Sequence, residues 1–128
     1  MATVIGLGID LVDVVRFRAS LERTPSMRTR MFTEAERTYA ESANDPAERY
    51  AARFAAKEAV MKAMGVGLGA FGFHDVEVVR ADGGQPSLRV IGAAELLAVE
   101  RGVVTWQLSL THTATSAGAV VVALGAAR

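Results

Sequence analysis

Arg49-Tyr50-Ala51-Ala52-Arg53-Phe54-Ala55-Ala56-Lys57-Glu58-Ala59-Val60-Met61-Lys62 is the stretch on which the fold turns. Asp45 and Pro46 stand before it, a side-chain cap followed by a residue suited to the first helical turn, and Gly65 stands after it. The pattern predicts one helix running to Met64. Its apolar stripe is Tyr50, Phe54, Met61 and Met64, at intervals of 4, 7 and 3 residues. Lys57 falls on that stripe and Glu58 at its edge, beside Phe54 and Met61. A charged pair there is costly to bury unless something compensates it. Taken alone, Glu58 and Lys62 also read as an ion pair four residues apart on a solvated face.

Upstream, Thr3 to Ile9 reads as a buried strand, apolar apart from Thr3 and two glycines. Asp10 and Asp13 follow at its end, with Asp13 placed to cap a helix reaching about Arg23. Val14, Phe17 and Leu21 mark the apolar side of that helix, Arg16, Ser20 and Arg23 another side, and Pro25 its end. Thr33-Glu34-Ala35-Glu36 is a capping box that opens a short helix to about Ala43. Downstream, Gly65 to Gly72 holds four glycines in eight residues and reads as a mobile loop. Asp75 to Ala81 and Ser87 to Ile91 alternate like strands, joined by the hairpin turn Asp82-Gly83-Gly84-Gln85-Pro86. A helix from Ala93 to Arg101 ends at Gly102, and Val103 to Thr111 and Ala117 to Leu124 are the last strands. No repeat, linker or low-complexity tract interrupts this order. Residues 1–128 therefore read as a single α+β domain, a mainly antiparallel sheet packed against one long helix.

Composition narrows the function classes. Hydrophobic residues make up 51% of the chain, which excludes disorder. There is no cysteine, so disulfide scaffolds, thiolate-held zinc and thiol catalysis are excluded. Met1 to Ile9 carries no basic segment and Asp10 interrupts its apolar run, unlike a signal peptide. The apolar stretch Ala117 to Leu124 is far too short to cross a bilayer, so a cytoplasmic protein is expected. The net charge is zero, and neither nucleic acid nor membrane is expected as a partner. The charge is nonetheless uneven: five arginines and one acid, Glu22, lie between Arg16 and Arg30. The only lysines are Lys57 and Lys62.

Asp10 gives the helix its chemical meaning. A carboxylate at the end of an apolar strand faces the rim of a site. Two carboxylates from distant segments, Asp10 and Glu58, suit a magnesium ion shared with phosphates, because magnesium takes one or two protein carboxylates and fills its octahedron with phosphate and water oxygens. Arg53 and Lys62 are placed to hold the phosphates. His112, after the strand Thr105 to Leu110, has Thr111, Thr113, Thr115 and Ser116 about it, a set that suits an anion at a strand end. His74 borders the glycine loop and takes no role. Neither a phosphate-binding Gly-Lys-Ser/Thr loop nor a dinucleotide fingerprint is present.

These segments together resemble the holo-acyl-carrier-protein synthases. The resemblance rests on Gly8-Ile9-Asp10-Leu11-Val12 with Arg16-Phe17, on Phe32-Thr33-Glu34-Ala35-Glu36, and on Ala52-Arg53-Phe54-Ala55-Ala56-Lys57-Glu58-Ala59. Gly84-Gln85-Pro86 and Leu108 through His112 to Ala117 and Ala119 complete it, in the same order. It implies transfer of the 4′-phosphopantetheine arm of coenzyme A to a serine of an apo acyl carrier protein in fatty acid or polyketide biosynthesis, releasing adenosine 3′,5′-bisphosphate. It implies Asp10 and Glu58 as magnesium ligands, with Glu58 activating the serine hydroxyl directly or through a metal-bound water. Lys62 would neutralise the departing bisphosphate, Arg53 and His112 would contact the coenzyme's phosphates, and the Gly83 to Pro86 turn would touch adenine through its backbone. Thr111 stands where the family often has serine, and Phe54 where some members have tryptophan. Members of this family form trimers with sites at subunit boundaries, and an apolar composition fits a chain with a surface to cover. Arg16 and Arg23 share a helix face suited to an acidic carrier.

Two rival readings remain at this point. One is a non-catalytic module that docks carrier proteins through the Arg16 to Arg30 surface; Asp10, Glu58 and Lys62 together argue against it, since docking needs none of them. The other is a different magnesium-dependent phosphoryl transferase acting on a nucleotide, which the released product would distinguish.

Overall fold

The computed structural model describes residues 2–81 and 83–127. Strand β1 spans Ala2–Asp13, and helices α1 (Val14–Arg23), α2 (Met27–Met31), α3 (Glu34–Glu41) and α4 (Pro46–Ala63) follow. A 3₁₀ turn at Phe73–Asp75 leads into β2 (Val76–Arg80) and β3 (Pro86–Val90). Helix α5 (Gly92–Glu100), β4 (Thr105–His112) and β5 (Ser116–Ala126) complete the chain. The strands form two antiparallel sheets, one in the order β1-β5-β4 and the other the hairpin β2-β3. Asp82 of the expected hairpin turn lies outside the described residues, as do Met1 and Arg128; the flanking register Arg80↔Pro86 is that of a closed hairpin.

Local chemistry accounts for the helix starts. Asp13 accepts from the Arg16 N–H at 3.0 Å, Thr33 and Glu36 form the reciprocal capping box, and Asp45 accepts from Ala47 N–H ahead of Pro46. Helix α2 was not expected; it is a five-residue segment after Pro25 with no buried side chain.

Two expectations about β1 are corrected. The strand does not stop at Ile9: β5 pairs with it as far as Asp13↔Ser116, so Asp10 sits within the ladder, opposite Ala119. Nor is the strand buried on both faces. Leu7, Ile9 and Leu11 are 62%, 64% and 74% exposed, whereas Gly8 on the alternate face is buried. The buried face carries α4. A Cβ added at Gly6 would lie 1.8 Å from the Ala63 carbonyl oxygen, and one at Gly8 1.8 Å from that of Ala59. Helix and strand backbones thus touch directly, glycine against the alanine-rich side of α4, where Ala55, Ala56 and Ala59 are fully buried. This contact aims Asp10, two residues past Gly8 on the same face, at the helix.

The charge on the α4 stripe is compensated from α3. Lys57 and Glu36 are both fully buried and form an ion pair at 2.9 Å.

Candidate active site

One candidate part of the site lies where β1, α1 and α4 meet. Asp10, Arg16, Ser20, Phe54 and Glu58 line one open cleft there. Lys62, one turn beyond Glu58, donates to Asp10 Oδ1 at 3.1 Å and to the Ile9 carbonyl at 2.9 Å. The ion pair of Lys62 is therefore with the strand, not with Glu58. Burial pushes the Glu58 carboxyl above its ordinary pKa, and the nearby Asp10 charge adds to that, with Lys62 opposing. A cleft lined by two carboxylates can take a cation. Among the described residues no cluster of three His, Asp or Glu side chains could hold a metal. Two carboxylates beside a lysine is a donor set that fits magnesium only when phosphate oxygens supply the rest of the shell. Arg23 lies outside the cleft, further along α1, and donates to Ser20 Oγ at 3.4 Å.

A second candidate part is a cavity of about 510 Å³ on another side of α4, lined by Tyr39, Glu48, Arg49, Arg53, Arg80, Pro86 and His112 among others. Its centre is a tyrosine ring wrapped in cations. The guanidinium carbons of Arg49, Arg53 and Arg80 lie 4.0, 4.3 and 5.2 Å from the Tyr39 ring centroid. Arg80 donates to the Tyr39 hydroxyl at 2.9 Å, and Arg49 to the Tyr39 carbonyl at 2.7 Å. Arg53 is only 4% exposed, and among the described residues its Nε–H has no partner. Burial lowers its pKa, and the positive Arg80 and Arg49 lower it further. Among the described residues, none of the three arginines is in an ion pair. Such a cluster can take an anion, and a phosphate suits its fork-shaped donors.

His112, the last residue of β4, has Nδ1 at 3.3 Å from Glu48 Oε1 on the cavity wall. Pro86 also lines the cavity. Gly84 does not; its N–H closes the hairpin turn on the Ala81 carbonyl at 2.8 Å.

The predicted residues thus fall into two groups on one chain. Asp10, Glu58, Lys62 and Arg16 gather at the first cleft, while Arg53, Pro86 and His112 gather at the second cavity. Tyr39, Arg49 and Arg80 were missed. Arg49 carries a signal, one turn before Arg53 on the same helix; Tyr39 and Arg80 are 41 residues apart and carry none. His74, given no role, bonds the Thr29 carbonyl at 2.7 Å.

Comparison with known proteins places the chain in a family. A family model for the 4′-phosphopantetheinyl transferase superfamily matches residues 6–123. The chain is 51% identical over 120 residues to a holo-[acyl-carrier-protein] synthase of Frankia casuarinae, covering 94% of this chain and 97% of that one. Among solved structures, a holo-ACP synthase of Plasmodium yoelii is 28% identical, covers 99% of both chains and superposes with a TM-score of 0.87. A holo-(acyl-carrier-protein) synthase of Bacillus anthracis, crystallised in complex with CoA (3′,5′-ADP), is 33% identical, covers 96% of this chain and 98% of its own, and has a TM-score of 0.78. This chain belongs to the 4′-phosphopantetheinyl transferase superfamily.

Proposed function

We propose that the chain, acting over residues 1–128 as one transferase domain, is a holo-acyl-carrier-protein synthase. It moves the 4′-phosphopantetheine arm of coenzyme A to a serine of an apo acyl carrier protein and releases adenosine 3′,5′-bisphosphate. The observation that carries this reading is the facing of Asp10 and Glu58 across one cleft, with Lys62 ion-paired to Asp10. Magnesium held by those carboxylates would neutralise the pyrophosphate and polarise the phosphorus under attack. The serine Oγ attacks the phosphorus that bears the pantetheine, and the pyrophosphate P–O bond breaks. Glu58, its carboxyl already shifted toward holding a proton, takes the serine proton directly or through a water. Lys62 stabilises the charge left on the bisphosphate. Arg53 and His112 hold the coenzyme's 3′-phosphate at the second cavity, beside the turn carrying Gly84 and Pro86. Arg16, at the mouth of the first cleft, and Arg23 along the same helix meet the acidic carrier.

The two halves join when subunits assemble. The bare face of β1, continued by Val120 opposite Ile9, is an apolar patch of the kind that marks an association surface. A homotrimer with sites at its boundaries places the carboxylate half of one subunit against the arginine half of the next. No described helix is long and apolar enough to cross a membrane. The likeness to holo-[acyl-carrier-protein] synthases supports a role in fatty acid biosynthesis, which we place in the cytoplasm. The test is mass spectrometry of an apo carrier protein incubated with the chain, coenzyme A and magnesium. The carrier gains one phosphopantetheine, chelation stops the gain, and adenosine 3′,5′-bisphosphate is recovered. Unchanged carrier mass across several apo acceptors overturns the reading, and a nucleoside mono- or diphosphate product points to another transferase.

A further inference from the structure

The transfer chemistry leaves one buried charged pair unused. Lys57 lies one residue before Glu58 and one turn after Arg53, and it is fully buried. Its ammonium donates to Glu36 Oε1 at 2.9 Å, to the Phe73 carbonyl at 2.8 Å and to the Val76 carbonyl. All three of its protons are therefore engaged. Glu36 accepts in turn from the Thr33 N–H at 2.9 Å and the Val78 N–H at 3.0 Å. One pair thus ties α4 to the start of α3, to the 3₁₀ turn and to β2.

We propose that Lys57 and Glu36 are positioning residues: a buried strut that fixes the rotation of α4, so that Glu58 is held toward Asp10 while Arg53 is held toward the arginine cavity. Stability does not explain the pair, because a buried ion pair is often no better than apolar residues of the same volume. Direction explains it. Against β1, α4 packs alanine on glycine, a contact that sets distance more strongly than rotation. Apolar side chains such as Tyr50 and Met61 can repack, whereas a cation with three fixed acceptors accepts only one orientation. A misplacement of about 1 Å at a reacting group can cost about 100-fold in rate.

The inference rests on the transferase reading, and the experiment separates the two. Wild type, Glu36→Gln, Lys57→Met and the double variant are assayed for carrier loading well below each thermal midpoint, where circular dichroism shows them folded. The single variants melt earlier than wild type because each leaves a buried group uncompensated, and the double variant regains part of that loss. All three nevertheless lose at least about 10-fold in kcat and show a raised KM for coenzyme A, since both halves of the site move together. Val103→Ala, a core variant that makes none of the strut's hydrogen bonds, melts earlier but keeps its kcat. A double variant with a recovered midpoint and wild-type kcat overturns the proposal. Should Lys57→Met fail to fold, Glu36→Gln decides, since its amide oxygen still accepts from Val78; wild-type kinetics in folded Glu36→Gln overturn the proposal equally. A wild-type chain that loads no carrier overturns the transferase reading and this inference with it.

Discussion

At the scale of single residues, Glu58 shows how the site sets charge against stability. Its folded pKa lies above the ordinary value of 4.5, because burial and Asp10 both disfavour the carboxylate. The folded chain therefore holds this proton more tightly than the unfolded chain does. The stabilisation is present below the ordinary value and is lost as pH rises through the raised one. Without metal, Glu58→Gln should melt no lower than wild type at neutral pH, and its advantage should shrink as pH falls toward 4.5. With coenzyme A present throughout, adding magnesium should raise the wild-type midpoint and leave that of Asp10→Asn/Glu58→Gln nearly unmoved, while carrier loading by Glu58→Gln falls at least about 100-fold. A metal-dependent midpoint in the double variant would remove both carboxylates from the metal site. Arg53 belongs to the other half. Arg53→Ala and His112→Ala should raise the KM for coenzyme A about 10-fold or more, and that for dephospho-coenzyme A far less, because the 3′-phosphate they are proposed to hold is then absent. Equal losses on both substrates would move these residues to the pyrophosphate.

At the scale of elements, the decisive contact is β1 against α4, and its test is a single methyl group. Gly8→Ala places a carbon on the Ala59 carbonyl, which is backbone and cannot swing aside, so α4 must retreat. Such overpacking costs about 1–3 kcal/mol or more in urea unfolding, and loading should fall with it because Asp10 lies two residues on. Gly67→Ala, which would meet nothing within 4 Å, is the matching control and should be neutral. This contact was not legible in the sequence, where the two glycines of β1 looked like interruptions of an apolar run. What was legible is what is local. The caps at Asp13, Thr33 and Asp45 depend on neighbours two or three residues away, and each helix begins where its cap predicts. The strand limits were less so, because β1 is extended to Asp13 by its pairing with β5, more than 100 positions downstream. Glu36 was legible as half of a capping box, whereas its partner Lys57, 21 residues on, was legible only as a charge needing compensation. Of the site, the Asp10, Glu58 and Lys62 set was readable because its motifs resemble those of a family. Tyr39 and Arg80 owe their meeting to the packing of α3 beside β2, which no local pattern encodes.

At the scale of the whole molecule, the proposed assembly rests on the outer face of the sheet. Leu7, Ile9 and Leu11 alternate along β1 on the side away from α4, and a lone subunit leaves them in water. Light scattering should report a trimer, and Leu7→Lys should yield folded smaller species with little activity, since a charge in a closed apolar interface is not tolerated. A fully active wild-type monomer would contradict the assembly. The separation of carboxylates and arginines onto two sides of α4 then has a genetic consequence: two broken alleles can mend each other. Chains carrying Asp10→Ala and chains carrying Arg53→Ala, mixed equally and allowed to exchange subunits, rebuild an intact boundary wherever the sound carboxylate half of one meets the sound arginine half of the other. Random assortment restores about a quarter of the boundaries. Assayed at low coenzyme A, the mixture should therefore load carrier faster than either parent, and the Asp10→Ala/Arg53→Ala double variant mixed with inactive chains of the same genotype should restore nothing.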